Sequence, residues 1–288
     1  MKSAFAGRVR VLALDIDGTL LNTRKEISPR NLAAVTSARD AGVRIALITG
    51  RRYPAARRIA ELLPGDPTLV LHNGGLIVER SASIRVTPLH RSVAQEVVRF
   101  GKSFGADPVV HFGQRGEGLL YVETASPSHT LLAYYLSRSH PDVRVVEHLE
   151  SAVAAAAEDP LQVMFGGSMQ EMEALSLALD ALGLNAASLR TVYPKDDLSL
   201  IDVVEPGVDK SEALRFLCAR WGVSVSEVLA IGDNWNDRSM LLAAGLGCVM
   251  ANAEPGLRSI GLLEVPSNDE DGVACAIERF ILGAESGK

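Results

Sequence analysis

Cysteine is scarce in this chain, and the few cysteines form no recognisable pattern. The 288 residues include three cysteines, an odd number with no CxxC pair. This spacing argues against a disulfide framework and against a cysteine-ligated zinc site. Cys218, Cys248 and Cys275 are therefore predicted to be small apolar side chains of the core.

Long apolar runs and an excess of positive charge are missing as well. The apolar runs have the length of β-strands, and the N-terminal stretch MKSAFAGRVR lacks the apolar core of a signal peptide. We therefore expect a cytoplasmic chain with no membrane partner. A net charge of −6, spread along the sequence, argues against nucleic acid as a partner.

The composition that remains is that of an ordinary globular protein. With 47% hydrophobic and 22% charged residues, the chain can build a sizeable core and is more consistent with two domains than with one. The sequence contains no internal repeat and does not indicate an oligomeric state.

Strand and helix signals alternate near the N-terminus. Val9–Leu14 is a β-branched and leucine-rich run, and Ser28-Pro29 predicts the N-cap and first turn of a helix that ends before Gly42. The next apolar runs are Val43–Ile48 and Thr68–Leu71, and the segments HNGG and LIVE then predict a hairpin. Continuous apolar strands separated by amphipathic helices predict an α/β fold with a Rossmann-like parallel sheet.

The alternation of apolar strands and amphipathic helices stops after residue 83 and resumes later in the chain. A helix with apolar Val93 and Phe100, a hairpin signal in HFGQRGEGLLYVE, a helix near Leu131–Leu136 and a capping box at Ser168 indicate mixed α+β structure. The first pattern resumes with the strand Leu198–Val204. We therefore predict a core formed by residues 1–83 and 191–288, with residues 84–190 inserted as an α+β cap domain.

Polar side chains follow the predicted strands of the core, and the carboxyl ends of parallel strands share one edge of a sheet. These side chains are Asp15, Asp17, Thr49, Asn73, Lys210, Asp233, Asn236 and Asp237. Four of them are carboxylates, which repel one another unless a hard cation lies between them. Mg²⁺ is the usual cation for oxygen ligands and bridges to phosphate. The sequence therefore predicts a Mg²⁺ site at this edge.

Two of the aspartates are also suited to covalent chemistry. An aspartate can attack phosphorus and form an aspartyl-phosphate, which divides a difficult hydrolysis into two easier steps. A second carboxylate can protonate the leaving alcohol and then deprotonate water. Extended geometry directs Asp15 and Asp17 to the same face, so that both can act on one substrate.

The motifs resemble the four motifs of the haloacid dehalogenase superfamily, in its Cof-type phosphatase branch. The matching segments are DIDGTLL, LITGR, GVDKSEAL and GDNWNDRSML, and HNGG and VMANA resemble two further segments of that branch. One departure is Ala251, where the branch usually has glycine. The order and spacing cover both ends of the chain, and the middle fits the large cap that this branch inserts between its second and third motifs.

The resemblance implies a Mg²⁺-dependent phosphatase for small phosphorylated metabolites, such as sugar phosphates. It implies that Asp15 is the nucleophile and a metal ligand, and that Asp17 is the general acid/base with its backbone carbonyl on the metal. For the phosphoryl oxygens it implies Thr49, Gly50, Lys210, Asn236 and Asn73, and for the metal it implies Asp233 and Asp237.

Other functions remain open from the sequence alone. A phosphomutase would move phosphate rather than release it, and a non-catalytic module would bind a phosphorylated ligand on the same fold. A lone D-x-D-G-T segment is more often a turn than a site, and Asn73 could serve a turn alone. His72 and Trp235 are predicted to pack rather than to react. Arg115 and Glu117 are candidate contacts to the leaving group.

Overall fold

The computed structural model describes residues 9–123 and 142–283, and these divide into two compact units. The first unit contains the residues up to Arg51, Ala55–Ser81 and the residues from Asp209 onward. The second unit contains Arg52–Pro54 and Ala82–Val208.

Both units contain strands and helices. The strands are β1 (Val11–Leu14), β2 (Arg44–Ile48), β3 (Thr68–Leu71), β4 (Leu76–Glu79), β5 (Ala82–Val86), β6 (Val109–His111), β7 (Leu120–Glu123), β8 (Val143–Val146), β9 (Gln162–Gly167), β10 (Ala187–Tyr193), β11 (Leu198–Val204), β12 (Val228–Gly232), β13 (Leu246–Met250) and β14 (Leu263–Val265). The described helices are α1 (Pro29–Asp40), α2 (Tyr53–Ala60), α3 (Arg91–Phe104), α4 (Leu149–Ala155), α5 (Met169–Ala181), α6 (Lys210–Trp221), α7 (Arg238–Ala243), α8 (Pro255–Arg258) and α9 (Gly272–Phe280).

Two predictions made from the sequence concern helices: one places a helix near the middle of the chain, and the other expects no membrane partner. The helix predicted near Leu131–Leu136 lies outside the described residues. Among the helices that the structure describes, none combines the length and the apolar character that a membrane crossing requires.

The first unit is built on a mainly parallel sheet with the strand order β14-β13-β12-β1-β2-β3-β4. Strand β1 pairs in parallel with both β2 and β12, and β4 turns back antiparallel to β3 as the predicted hairpin. Counted along the chain, the parallel strands have the order 3-2-1-4-5-6, which is that of a Rossmann-like sheet. The order reverses between β1 and β12, and ligands bind beyond the carboxyl ends of strands at such a point.

Two helices of the first unit begin with a side-chain cap, and the cap of α1 is the one that the sequence predicts. The Ser28 side chain accepts a hydrogen bond from the N–H of Asn31 at the start of α1. At the start of α6, the Asp209 side chain accepts one from the N–H of Glu212. Each cap satisfies an N–H that has no partner within the helix. The cap of α6 also fixes where the helix begins, so that Lys210 is its first residue.

The second unit contains a mostly antiparallel sheet with the strand order β10-β11-β9-β6-β7-β8, in which only β7 and β8 pair in parallel. The predicted glycine-rich hairpin forms between β6 and β7. A capping box at Ser168 and Glu171 opens α5, as the sequence predicts. Buried residues from α3, α4, α5 and one face of the sheet make a single core, which includes Val97, Val153, Phe165, Leu175 and Ile201.

The strand Leu198–Val204 belongs to the second sheet, which corrects its predicted place in the core. It pairs antiparallel with both β10 and β9, and the second unit continues to Val208. The segment 191–208, assigned to the core from the sequence, therefore lies in the second unit. Its apolar run looks like a buried core strand, and the turn that joins it to β10 has Asp197 at φ 44° in place of a glycine.

Gly101 provides a test of the packing in the second unit. A Cβ at this position of α3 would lie 2.2 Å from Cε1 of Phe165, well inside van der Waals contact. Alanine would gain about 1 kcal/mol of helix propensity, but overpacking of a buried site costs about 1–3 kcal/mol. We expect Gly101→Ala to lower the free energy of unfolding in urea. The exposed Ser103→Ala in the same helix should change it by less than about 0.5 kcal/mol, and an equally stable Gly101→Ala protein would contradict the packing.

Candidate active site

Three strand ends bring the predicted polar residues of the first unit to one edge of its sheet. Asp15 directly follows β1, and its N–H continues the ladder to the carbonyl of Ile231, at 3.0 Å. Thr49 follows β2 in the same way, with its N–H bonded to the carbonyl of Val70 at 2.9 Å. Asp233 is the first residue after β12. The backbone pairing therefore places these side chains where a parallel sheet gathers its ligands.

A buried ammonium group joins two of the carboxylates. Nζ of Lys210 lies 2.6 Å from Oδ1 of Asp15 and 2.5 Å from Oδ1 of Asp237. The Lys210 and Asp237 side chains are fully buried, and Asp15 is nearly so. Burial alone would lower the pKa of Lys210, but the charges of Asp15 and Asp237 raise it above its usual value. Lys210 is therefore a permanent cation at this site.

Both carboxylate oxygens of Asp237 accept hydrogen bonds from other groups of the protein. Its Oδ1 takes the Lys210 ammonium, and its Oδ2 accepts the backbone N–H groups of Asp233 and Asn234, at 3.1 and 3.0 Å. A Cβ on Gly232 would lie 2.6 Å from Cγ of Asp237, so glycine is required for this close approach. Asp237 thus fixes both the lysine and the turn that carries Asp233.

Asp233 is held by the loop that follows β1. The hydroxyl of Thr19 donates to Oδ1 of Asp233 at 2.8 Å. Gly18, at φ 75°, lies so close that a Cβ would approach Oδ2 of Asp233 to 2.2 Å. Asn252 donates from Nδ2 to the carbonyl of Gly18 at 2.8 Å, and Ala251 beside it bonds through its N–H to Val265. The alanine that departs from the family pattern is therefore accommodated by ordinary backbone pairing.

The donor set fits a divalent metal ion. One carboxylate oxygen each from Asp15, Asp233 and Asp237 lie within 4.8 Å of one another. Among the described residues, Oδ2 of Asp15 and Oδ2 of Asp233 receive no hydrogen bond from the protein. Three carboxylates face one ammonium, so the cluster carries excess negative charge. All of these ligand atoms are hard oxygens, which Mg²⁺ prefers.

The pKa values of the cluster reflect this excess charge. Burial raises the pKa of Asp15 to about 7, even though Lys210 favours its ionised form. Burial also raises the pKa of Asp233 well above its ordinary value, and the charges of Asp15 and Asp237 add to the effect. A cation bound between these groups would stabilise their ionised forms.

Asp17 lies in a different electrostatic environment from Asp15. The guanidinium of Arg51 donates to Oδ2 of Asp17 at 2.5 Å and to Oδ1 at 2.7 Å, and Lys25 Nζ lies 3.1 Å from Oδ1. Burial opposes ionisation of Asp17, but these two cations outweigh it and lower its pKa. The arrangement therefore favours the basic form of Asp17.

The loop after β3 contacts the loop after β2. The N–H of Asn73 donates to the carbonyl of Thr49 at 3.0 Å, and Oδ1 of Asn73 accepts from Nδ2 of Asn236 at 2.9 Å. A Cβ on Gly50 would lie 3.2 Å from Oδ1 of Asn73. Asn73 and Asn236 thus meet beside the Thr49-Gly50 segment.

The structure brings all of the predicted core site residues to this region, and it adds three that the sequence analysis did not single out. Thr19, Lys25 and Arg51 each contact a predicted carboxylate. Arg51 lies in the motif LITGR and Thr19 in the motif DIDGTLL. Their position inside these motifs was the only sign in the sequence that they belong to the site. Trp235 donates from Nε1 to Glu254. Arg115 and Glu117 lie in the second unit, where the N–H of Arg115 bonds to Glu117 Oε2.

The buried lysine between two aspartates, with a threonine at the neighbouring strand end, lies at the carboxyl edge of a Rossmann-like sheet. Residues 12–277 match the family model of haloacid dehalogenase-like hydrolases. The chain belongs to this family, and the resemblance to its Cof-type members is confirmed. It is accordingly grouped with hydrolases that act on phosphoric monoesters.

Individual relatives agree with this membership. The HMP-PP phosphatase of Serratia proteamaculans is 29% identical over 252 residues, which cover 87% of this chain and 87% of that protein. A chloroplastic endoribonuclease YBEY of Arabidopsis thaliana is 28% identical over 277 residues, 92% of this chain but only 45% of that protein. A solved phosphatase of the HAD superfamily from Bacteroides thetaiotaomicron superposes with a TM-score of 0.79 at 25% identity, covering 97% of both chains.

The raised pKa of Asp15 makes the stability of the metal-free protein depend on pH. Because the pKa is about 7 in the folded state and 3.8 as the ordinary value, the folded protein binds more protons than the unfolded chain between these values. The free energy of unfolding should therefore fall as pH rises from about 4 to about 7. Urea unfolding in EDTA measures this slope.

Two asparagine variants separate the contribution of Asp15 from that of its neighbour. Asp15→Asn should make the slope shallower, since one titrating carboxyl is gone, and the slope that remains comes from Asp233, whose pKa is also raised by burial. Asp17→Asn should leave it unchanged in this window, because the pKa of Asp17 is lowered and its contribution is lost only at more acid pH. An unchanged slope in Asp15→Asn would contradict the assignment.

Proposed function

We propose that this chain is a Mg²⁺-dependent phosphatase that hydrolyses small phosphorylated metabolites through a phosphorylated Asp15. The observation that carries the proposal is the contact of Lys210 Nζ with Asp15 Oδ1 at 2.6 Å, with Asp233 in the same carboxylate cluster. A nucleophilic aspartate beside a fixed cation is the arrangement that transfer of a phosphoryl group to a carboxylate requires.

Asp15 is the nucleophile in this proposal. Lys210 contacts its Oδ1 and fixes the carboxylate, of which one oxygen is proposed to attack phosphorus and the other to bind the metal. The phosphorus–oxygen bond to the leaving group breaks as the bond to the attacking oxygen forms. Hydrolysis of the aspartyl-phosphate then returns Asp15 as a carboxylate and releases inorganic phosphate.

Asp17 is the general acid and base. In the first step it would give a proton to the leaving alcohol, and in the second it would take one from the attacking water. The ion pairs with Arg51 and Lys25 hold it in the basic form, which is the form that activates water. The ion pairs with Arg51 and Lys25 must weaken before Asp17 can act as an acid, because both cations favour its ionised form.

The phosphoryl oxygens would be held by Thr49, Gly50, Lys210 and Asn236. Thr49 is buried beside Asp15's strand end, and its Oγ1 accepts the N–H of Arg51 at 3.2 Å, which leaves the hydroxyl hydrogen for a ligand. Lys210 supplies the only positive charge that is fully buried among the described residues. These groups would stabilise the charge that develops on the transferred phosphoryl group.

Mg²⁺ would be held by the carboxylates of Asp15 and Asp233 and by the backbone carbonyl of Asp17, with Asp237 supporting the turn that carries Asp233. Bound there, it would neutralise charge on the phosphoryl group and on the attacking carboxylate. Asp237 suits the supporting role better than direct ligation, because both of its oxygens already accept protein donors.

The leaving group would be selected by the second unit, the proposed cap domain. The first unit supplies the phosphoryl chemistry, so the features that distinguish one substrate from another must lie elsewhere. Arg115 and Glu117 in the glycine-rich hairpin remain the proposed contacts. The relative from Serratia, named for a small phosphorylated substrate, supports metabolites of this size as the substrate class.

The two aspartates of the first motif should fail in different ways when each is changed to asparagine. Asp15→Asn should fold and release no phosphate above background, because an amide neither attacks phosphorus nor binds the metal well. Asp17→Asn should slow turnover of alkyl phosphates by roughly 10²–10⁴-fold. With p-nitrophenyl phosphate, whose leaving group needs little protonation, the loss should be smaller, and the phospho-enzyme should accumulate.

Mass spectrometry after a rapid acid quench detects that intermediate. Phosphate should be found on Asp15 in the Asp17→Asn protein and be absent from the protein that carries both substitutions. Near wild-type turnover by Asp15→Asn would refute the aspartyl-phosphate route. Small and equal losses on alkyl and aryl phosphates in Asp17→Asn would make Asp17 a turn residue.

Metal dependence is tested with a panel of phosphorylated metabolites and an assay for inorganic phosphate. EDTA should abolish release and Mg²⁺ should restore it, since the ligand set contains only hard oxygens. Release that persists in EDTA, or that requires zinc, would contradict the proposed site. A phosphate group that moves within the substrate without being released would instead identify a mutase.

A further inference from the structure

The short loop after β3 has a strained backbone and is fully buried. His72 and Asn73 have φ values of 50° and 55°, the left-handed region that glycine and asparagine adopt most easily. Their side chains are 1% and 0% exposed. Strain of this kind persists only where the surrounding structure imposes it, and it concentrates at functional sites.

The same loop lies against two segments of the proposed active site. The N–H groups of Asn73 and His72 donate to the carbonyls of Thr49 and Arg51, at 3.0 and 3.2 Å. On its other side, a Cβ on Gly74 would lie 2.6 Å from the carbonyl of Asp209, directly before Lys210. The loop therefore sits between the phosphate-binding segment and the start of α6.

The side chain of Asn73 reaches a third segment. Its Oδ1 accepts a hydrogen bond from Nδ2 of Asn236 at 2.9 Å. Oδ1 of Asn236 is buried and has no hydrogen-bond partner among the described residues. A primary amide offers two N–H donors and one oxygen acceptor. Asn73 accepts one N–H of Asn236, which fixes the plane of that amide and leaves its second N–H to donate to a phosphoryl oxygen.

We propose that Asn73 is a positioning residue, which acts on the phosphoryl group only through the amide of Asn236. This inference rests on the proposed function, in which Asn236 contacts phosphate. Asparagine suits the position because it tolerates the left-handed backbone and provides a neutral acceptor. Aspartate would add a negative charge beside the phosphoryl group.

A double-mutant cycle tests whether Asn73 acts through Asn236. Asn73→Gly keeps the left-handed backbone accessible and removes the acceptor. The readout is the Kd for inorganic phosphate, measured by calorimetry in the presence of Mg²⁺, so that binding is followed without turnover. Asn73→Gly should raise this Kd roughly tenfold, and it should have almost no effect in a protein that already carries Asn236→Ala.

Turnover gives a second readout for the same variants. Because the contact to phosphate exists both in the bound substrate and in the transition state, KM should rise with kcat little changed. A residue that only supports the fold would lower the temperature of unfolding without this separation of KM from kcat. If the glycine variant does not fold, Asn73→Ser, whose hydroxyl is too short to reach Asn236, replaces it in the cycle.

Asn31 offers a matched control. It is also an asparagine with 0% exposure, and its Oδ1 accepts one hydrogen bond, from the N–H of Ala274 at 2.9 Å. Asn31→Ala should lower the temperature of unfolding and leave the Kd for phosphate unchanged.

The outcomes separate this inference from the proposed function. The positioning role would be overturned if Asn73→Gly raised the Kd for phosphate equally in the wild-type protein and in Asn236→Ala. It would also be overturned if Asn73→Gly had the same effects as Asn31→Ala. Failure of the wild-type protein to bind phosphate would overturn it as well. A protein that binds phosphate and shows the expected coupling, but releases none from any ester, would sustain the inference and refute the phosphatase proposal.

Discussion

The ammonium of Lys210 is the charge around which the first unit is arranged. An unpaired charge costs several kcal/mol to bury, and Lys210 is fully buried between Asp15 and Asp237. Both partners depend on it for their countercharge, because neither carboxylate has another cation in direct contact among the described residues. One side chain therefore fixes three segments at once: the end of β1, the start of α6 and the turn after β12.

The same arrangement separates two aspartates that lie two positions apart. Asp15 faces an excess of negative charge, and burial raises its pKa, whereas Asp17 is paired with two cations and has a lowered pKa. A nucleophile must be ionised, and a cation bound between Asp15 and Asp233 would lower the pKa of Asp15 and favour that form. Both residues of the pair Asp15 and Asp17 lie in the segment that follows β1, and the residues around them set the difference in pKa.

Periodicity and capping signals in the sequence were sufficient to predict the parallel sheet, the ends of α1, and the polar residues at the edge of the sheet. These features depend on local rules: apolar strands, Ser28 as an N-cap, and the shared edge of parallel strands. The placement of Leu198–Val204 could not be predicted, because its pairing with β9 is a long-range choice that an apolar run does not encode. Lys25 was missed for a related reason, since a single basic residue in a loop gives no sign of the carboxylate that it will contact.

The bond between Lys210 and Asp15 joins residues 195 positions apart, and this separation has a consequence for synthesis on the ribosome. Strand β1 emerges early, while its partner β12 follows only after the whole of the second unit. During that interval one edge of β1 has no strand to pair with, and Asp15 has no lysine. Exposed strand edges template aggregation, so the nascent chain passes through a vulnerable stage that ends only when the segment from Asp209 onward is translated.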